Sequence, residues 1–205
     1  GMPLPVVQFY ASEVLLALLH LHKHGITSID LNPNTILIDA SGHVKVADFP
    51  YIDLDLDGSE GAGGRGPENQ YSRGSSLYTA PECHDKGDCG SESHWWSFGC
   101  LLYDLCCPGS SKLLFIHEFD EAIDVHERRV AQIMHLVKSS SIEELVSGLL
   151  VTDPLRRLGG PEIMKNHFFQ GINWASVFER KTDPPWYPPT SPGGHFVGSA
   201  SSEGR

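Results

Sequence analysis

The sequence predicts a mainly helical α+β domain, and two helices and one hairpin carry that prediction. Residues Phe9–His24 place leucine and valine at helical spacing, with Gly25 as the C-terminal stop. Ile36–Ile38 and Val44–Val46 are β-branched runs separated by a turn containing Ala, Ser and Gly, which predicts a β-hairpin. His94–Cys106 is apolar on every side, as a buried central helix must be.

Two further helices and two polar segments complete the predicted organisation. We expect helices near Glu127–Val137 and over Ser141–Leu150, the second opened by the capping box Ser-Ile-Glu-Glu. The segment 51–74 is rich in Asp, Glu and Gly and predicts a loop, and the Gly- and Ser-rich 190–205 predicts a disordered tail. With residues 1–8 as a leader, the folded domain is expected to span residues 9–189.

Composition limits the class of protein. The 205 residues are 40% hydrophobic, which suits one domain with a substantial core. A net charge of -11 argues against nucleic acid or an anionic membrane as partner, and we expect no apolar run long enough to span a bilayer. The odd count of five cysteines favours reduced thiols and hence a cytoplasmic or nuclear protein.

A series of short motifs follows one another in a recognisable order. They are Asp30 with Asn32-Pro33-Asn34-Thr35, Asp48-Phe49-Pro50, Thr79-Ala80-Pro81-Glu82, the Trp-Trp-Ser-Phe-Gly run after His94, and Asp153-Pro154-Leu155-Arg156-Arg157-Leu158-Gly159. In that order they resemble the C-terminal lobe of eukaryotic protein kinases, most closely the AGC serine/threonine group. The resemblance implies an activation-segment-like loop over 48–82, and it finds no counterpart of the kinase N-lobe in these residues.

The resemblance assigns roles to the residues of the catalytic loop. Asp30 stands at the position of the catalytic base, although it could equally bond its own loop backbone. Asn32 replaces the catalytic lysine, so the charge that stabilises a transferred phosphoryl group is missing.

The two metal positions are also altered. Asp48 keeps a carboxylate for Mg²⁺, whereas Thr35 offers a hydroxyl in place of an asparagine carbonyl. Pro50 replaces the glycine after Phe49 and fixes φ there, so the switch at this position is expected to be frozen. We therefore expect no cofactor, and ATP and Mg²⁺ only if an N-lobe is supplied in trans.

Other departures concern structure rather than chemistry. Ile29 replaces an arginine and His94 an aspartate on opposite sides of one polar network, which predicts an apolar repacking of both. Glu82 and Arg157 both survive, and in the family they form a buried ion pair that ties the activation segment to the lobe.

Two clusters of ligand-type side chains fall short of a metal site. The acidic run at 53–58 copies the opening of a calcium loop, but its twelfth position is Gly64 instead of a bidentate glutamate. A second cluster has zinc-ligand chemistry in a spacing that matches no standard knuckle: Cys83, His84, Cys89 and His94.

The resemblance leads to a functional prediction with two rivals. We expect a pseudokinase C-lobe that acts as a binding or regulatory module, contacting a protein partner or a second copy through the face an N-lobe would cover. The rival enzyme hypothesis is half of a serine/threonine kinase that phosphorylates proteins when an N-lobe completes it in trans. The third hypothesis is a product without a selected function.

Overall fold

The computed structural model describes residues 1–26, 30–47, 78–86, 90–107 and 140–189. Within them the chain is mostly helical with one two-stranded antiparallel sheet, which confirms the predicted fold class. In chain order the elements are α1 (Leu4–Lys23), β1 (Ile36–Ile38), β2 (Val44–Val46), α2 (Pro81–Lys86), α3 (Glu92–Cys106), α4 (Ser140–Leu149), α5 (Gly160–Lys165), a 3₁₀ helix (His167–Phe169) and α6 (Trp174–Phe178).

Helix α3 forms the centre of the core. Its residues from Ser93 to Tyr103 are all buried, as the uninterrupted apolar sequence predicts. Helices α1 and α4 pack against it. At Gly99 an added Cβ would lie 2.9 Å from the Leu149 side chain, so glycine is what lets α3 and α4 approach so closely.

Helix α1 begins at Leu4, inside the segment predicted as a leader, rather than at Phe9. Pro5 stands in its first turn, where the missing proline N–H has no helical partner to lose. The helix is long and apolar enough to cross a membrane by length and composition, so the expectation of no such run is wrong. The core helix of a folded domain fits the same description, and Leu15 and Leu18 of α1 are fully buried.

The hairpin has the predicted strands, with Ile36 opposite Val46, Leu37 opposite Lys45 and Ile38 opposite Val44. Its turn is held by the Asp39 carboxylate, which accepts from the hydroxyl and N–H of Ser41 and from the N–H of His43. The hydrogen bond from the Ser41 side chain is the largest cause that lowers the pKa of Asp39 to about 2.

A buried carboxylate fastens the hairpin to α1. Glu13 Oε1 lies 2.5 Å from His43 Nδ1, and Glu13 Oε2 accepts from the Val44 N–H at 2.7 Å. Both side chains are almost fully buried, so one glutamate serves a ring nitrogen and a backbone donor that water does not reach.

Residues 180–187 pack across the hairpin turn. Helix α6 ends in a Schellman motif in which Arg180 N–H donates to Val177 and Lys181 N–H to Ser176. Arg180 has the left-handed φ of 52° that usually selects glycine, and its guanidinium lies 3.4 Å from the Asp39 carboxylate. Beyond it, the chain passes so close to Gly42 that an added Cβ would lie 2.6 Å from the Trp186 carbonyl oxygen.

The Arg157 guanidinium is fully buried and joins three segments. It forms a bidentate pair with Glu82 on α2, at 2.6 and 2.9 Å. It also donates to the main-chain carbonyls of Glu92, Val151 and Thr152, and it lies 5.2 Å from the centre of the Trp96 ring. A buried charge with this many partners anchors α2 against α3.

Cysteine usage departs from the expectation of reduced thiols. Cys83 on α2 is disulfide-bonded, whereas Cys100, Cys106 and Cys107 carry reduced thiols. An odd number of cysteines does not exclude a single disulfide, and the inference from the count is wrong at this position. Burial raises the pKa of Cys106 to about 11, which leaves it a weak nucleophile.

We expect Gly42→Ala to lower the free energy of unfolding by about 3 kcal/mol, because left-handed φ and overpacking each cost about 1–2 kcal/mol. Gly25→Ala is the matched control, since Gly25 has a similar φ of 71° but no atom within 4 Å of an added Cβ. It should cost only about 1 kcal/mol. Urea denaturation of both variants checks the difference, and equal losses would contradict the close contact with 184–186.

We expect Glu82→Ala to lower the free energy of unfolding by about 3 kcal/mol, because it leaves a buried guanidinium without its counter-charge. The double variant with Arg157→Met should cost less than the sum of the two single changes, with a coupling of about 2 kcal/mol. Urea unfolding of the parent, the two single variants and the double variant gives this coupling. Simple additivity would mean that the pair contributes nothing beyond its separate contacts.

Candidate functional site

The carbonyl of Asp30 is the centre of the catalytic-loop geometry. It accepts from the Thr35 hydroxyl at 2.7 Å and from the Asn32 side-chain amide at 3.1 Å. The Asp30 residue itself is exposed. The structure therefore presents this residue to solvent while two neighbouring side chains fix its backbone.

The Asn32 side chain forms its hydrogen bonds within the catalytic loop. Its Oδ1 accepts from the N–H of Asn34 at 2.8 Å, while its Nδ2 donates back to Asp30. The residue is buried, as expected for an Asx turn that closes on its own backbone. At the position where the family has a lysine, the described geometry thus offers a structural amide and no charge.

The Thr35 hydroxyl also forms its hydrogen bonds within the catalytic loop. Its buried Oγ1 lies 2.7 Å from the Asp30 carbonyl oxygen, 2.9 Å from that of Asn32 and 3.0 Å from the Asn32 nitrogen. The hydroxyl shares its one proton between two carbonyls and accepts from one N–H. An oxygen enclosed in this way does not fit the ligand of a hydrated Mg²⁺ ion.

The remaining active-site positions, Ile29, Asp48 and Pro50, lie outside the described residues, as do segment 51–74 and the helix expected near Glu127–Val137. In the part of the chain that the structure describes, no three His, Cys, Asp or Glu side chains form a group that could hold a metal ion.

His94 is buried at the start of α3 in a polar contact, so the expected apolar repacking is wrong at this residue. Its Nδ1 lies 2.7 Å from Nε2 of His22 in the last turn of α1, and the two rings stack with centroids 5.0 Å apart. Burial lowers the pKa of His22, against a smaller opposing effect of Glu92. The sequence gives no local signal that pairs these two histidines.

The end of the activation-segment-like loop is tied to α3 by contacts that the sequence did not reveal. The Tyr78 hydroxyl donates to the Asp104 carboxylate, and the Ser97 hydroxyl donates to the Tyr78 carbonyl at 2.7 Å. Together with the ion pair of Glu82 and Arg157, these bonds hold both ends of 78–82 on the lobe. No motif marks Asp104, because a single carboxylate near a helix end is common.

The outer face of the hairpin exposes one aliphatic and one basic side chain on neighbouring strands. Leu37 is 43% exposed, and the Lys45 side chain opposite it is 60% exposed. Ile38 is 37% exposed but lies on the other face of the sheet, opposite the buried Val44. A cavity of about 610 Å³ lies elsewhere, between the start of α1 and residues 171–185, and no catalytic-loop residue lines it. The exposed hairpin face therefore follows the altered catalytic loop directly in the sequence, whereas the cavity does not adjoin that loop.

Comparison with known proteins agrees with the motif order. The protein kinase domain model matches residues 2–169. A probable serine/threonine-protein kinase of Dictyostelium discoideum is 34% identical over 189 residues, which is 90% of this chain and 39% of that protein. RAC-beta serine/threonine-protein kinase B of Xenopus laevis is 33% identical over 88% of this chain and 36% of its own length.

The RAC serine/threonine-protein kinase of Drosophila melanogaster is 32% identical over 88% of this chain and 29% of its own length. The chain thus spans about two-fifths or less of these curated relatives. The chain belongs to the protein kinase domain family, its described elements form a kinase-like C-lobe, and its relatives include AGC-type serine/threonine kinases.

Proposed function

We propose that this kinase C-lobe is a pseudokinase module that binds and regulates a protein partner and does not transfer phosphate on its own. The observation that carries the proposal is the enclosure of Asn32 and Thr35, both buried and bonded within their own loop. A loop whose polar groups are satisfied internally keeps its shape with neither phosphate nor metal present.

The electrostatics of the loop support the same proposal. Replacing the lysine by Asn32 removes a positive charge from the place where negative charge develops during phosphoryl transfer. Losing one such group costs about 3 kcal/mol of transition-state stabilisation, or roughly a hundredfold in rate. The buried amide of Asn32 also faces its own backbone, so it is a poor substitute donor.

One observation favours the alternative, a kinase half completed by an N-lobe in trans. Asp30 is exposed and keeps the carboxylate that could accept a proton from a substrate hydroxyl. In that case ATP and Mg²⁺ would be held largely by the partner's residues. The two functions differ in what happens when nucleotide and an N-lobe are added.

Calorimetry with Mg²⁺ and ATP should give no binding heat for the 205-residue chain. We also expect peptide phosphorylation to stay at background, with and without an added AGC N-lobe, and Asp30→Asn to change nothing. Turnover that appears with the N-lobe and falls at least about a hundredfold in Asp30→Asn would establish the alternative. Asp183→Asn, which removes an exposed carboxylate far along the chain, is the matched control.

The outer hairpin face is the proposed binding surface. Leu37 exposes an aliphatic side chain on this face, and the Lys45 ammonium opposite it lies 3.7 Å from the Asp39 carboxylate. The strand β1 has a hydrogen-bonded neighbour only on the side of β2, so among the described residues its other edge is unpaired. A partner with an apolar patch and an extended edge strand fits this surface, as does a second copy of the chain.

We expect Leu37→Glu to weaken self-association or N-lobe binding at least about tenfold, because burying a leucine contributes about 2 kcal/mol. Sedimentation velocity over a concentration series, with and without the N-lobe, measures the change. Leu155→Glu is the control, since Leu155 is 92% exposed on the loop before α5. Equal effects of the two substitutions would contradict a specific role for the hairpin face.

Partners and location follow from the family and the charge. We propose a cytoplasmic protein whose partners are proteins rather than nucleic acid or membrane, on the strength of its kinase relatives and its net charge of -11. The cysteines do not support the cytoplasmic location, because Cys83 is disulfide-bonded.

A further inference from the structure

Two imidazoles form the polar contact between the end of α1 and the start of α3. His22 Nε2 and His94 Nδ1 are 2.7 Å apart, a distance at which one nitrogen donates and the other accepts. His94 is buried, and the indole of Trp95 closes on the His22 ring edge-on, with centroids 4.8 Å apart. We call this contact the histidine bridge.

The chemistry of imidazole limits how many protons the histidine bridge holds. When both rings are neutral, one facing nitrogen carries a hydrogen and the other a lone pair. One added proton can go to an outer nitrogen, and the bond survives with a charged donor. When both rings are protonated, two N–H groups face each other at 2.7 Å and two positive charges lie side by side, so the bond is lost.

The charged groups around the bridge do not remove this limit. Glu92 on α3 acts on His22 and favours its first protonation. One carboxylate compensates one imidazolium, and Arg157, which donates to the Glu92 carbonyl, is itself paired with Glu82. Among the described residues, the other titratable or charged side chains near the bridge are His20, Lys23 and His24 on α1, and Glu162 lies on α5, which packs against α1.

We propose that the histidine bridge is a pH-sensitive latch: it fastens the end of α1 to α3 while the pair holds at most one added proton, and it opens in acid. The opened state binds one proton more than the bridged state. The ratio of bridged to open molecules therefore falls as pH decreases, by up to tenfold per pH unit below the ordinary histidine range of about 6.5.

The burial of His22 predicts the same direction of pH dependence as the latch. Burial lowers the pKa of His22 in the folded protein, so the folded state disfavours the charged ring. The contribution of His22 to folding stability is complete when the pH is above the pKa of histidine in the unfolded chain. It is lost as the pH falls from that pKa to the lower pKa of His22 in the folded protein.

Nitrogen-15 NMR titration of the imidazoles in the unmodified chain tests the proposal directly. We expect two separate steps for His22 and His94, with the second displaced by at least one pH unit below the ordinary range, and faster amide exchange in the last turn of α1 as it occurs. A single step near 6.5 for both rings would overturn the proposal.

Substitutions at His94 give a second test with opposite signs. Between pH 7.5 and 5.5 the folding equilibrium constant of the parent should fall up to about tenfold more than that of His94→Asn, whose amide accepts from His22 at any pH. For His94→Asp the constant should fall least or rise, because protonated His22 gains a carboxylate. His24→Asn, which removes a histidine bonded only within α1, is the control and should keep the parental slope. Parental slopes in both His94 variants would refute the latch.

Discussion

The buried guanidinium of Arg157 is the interaction on which the rest of this lobe depends. Its five N–H donors are directed to the Glu82 carboxylate and to three main-chain carbonyls, one at the start of α3 and two at 151–152. A charge withdrawn from water this completely is tolerated only when every donor is matched, so α2, α3 and the loop before α5 must all keep their places together. The packing of Trp96 under the guanidinium couples this network to the apolar core.

The catalytic loop differs from the Arg157 network, because its polar groups form hydrogen bonds with residues only a few positions away in the sequence. Asn32, Asn34 and Thr35 close on the Asp30 carbonyl and on one another. Changes of chemistry at these positions therefore leave distant packing undisturbed, whereas a change at Arg157 would affect three segments at once. This difference explains how one chain can retain the structural ion pair and yet carry altered residues at catalytic positions.

Much of the fold was predictable because it depends on local pattern. Strand limits at Ile36–Ile38 and Val44–Val46 follow from β-branched runs and a glycine turn, and the burial of α3 follows from its uninterrupted apolar sequence. Motif order sufficed to suggest that Glu82 and Arg157 meet. The contacts that sequence reasoning missed are single, non-local ones: Glu13 with His43, Arg180 with Asp39, and His22 with His94. Each depends on two side chains that only the finished fold brings together, and the early start of α1 was missed because proline is tolerated in a first turn.

The replacement of the family's aspartate by His94 also has a physical explanation. A neutral imidazole facing His22 preserves one hydrogen bond across the α1–α3 contact without burying an ion. Arg157 achieves a comparable link with a charge that stays protonated at any physiological pH. The lobe thus combines a permanently charged contact and a neutral, titratable one within the same helix α3. Acidification acts on the second and leaves the arginine charged, so the end of α1 loosens from α3 while the contact of α3 with α2 persists.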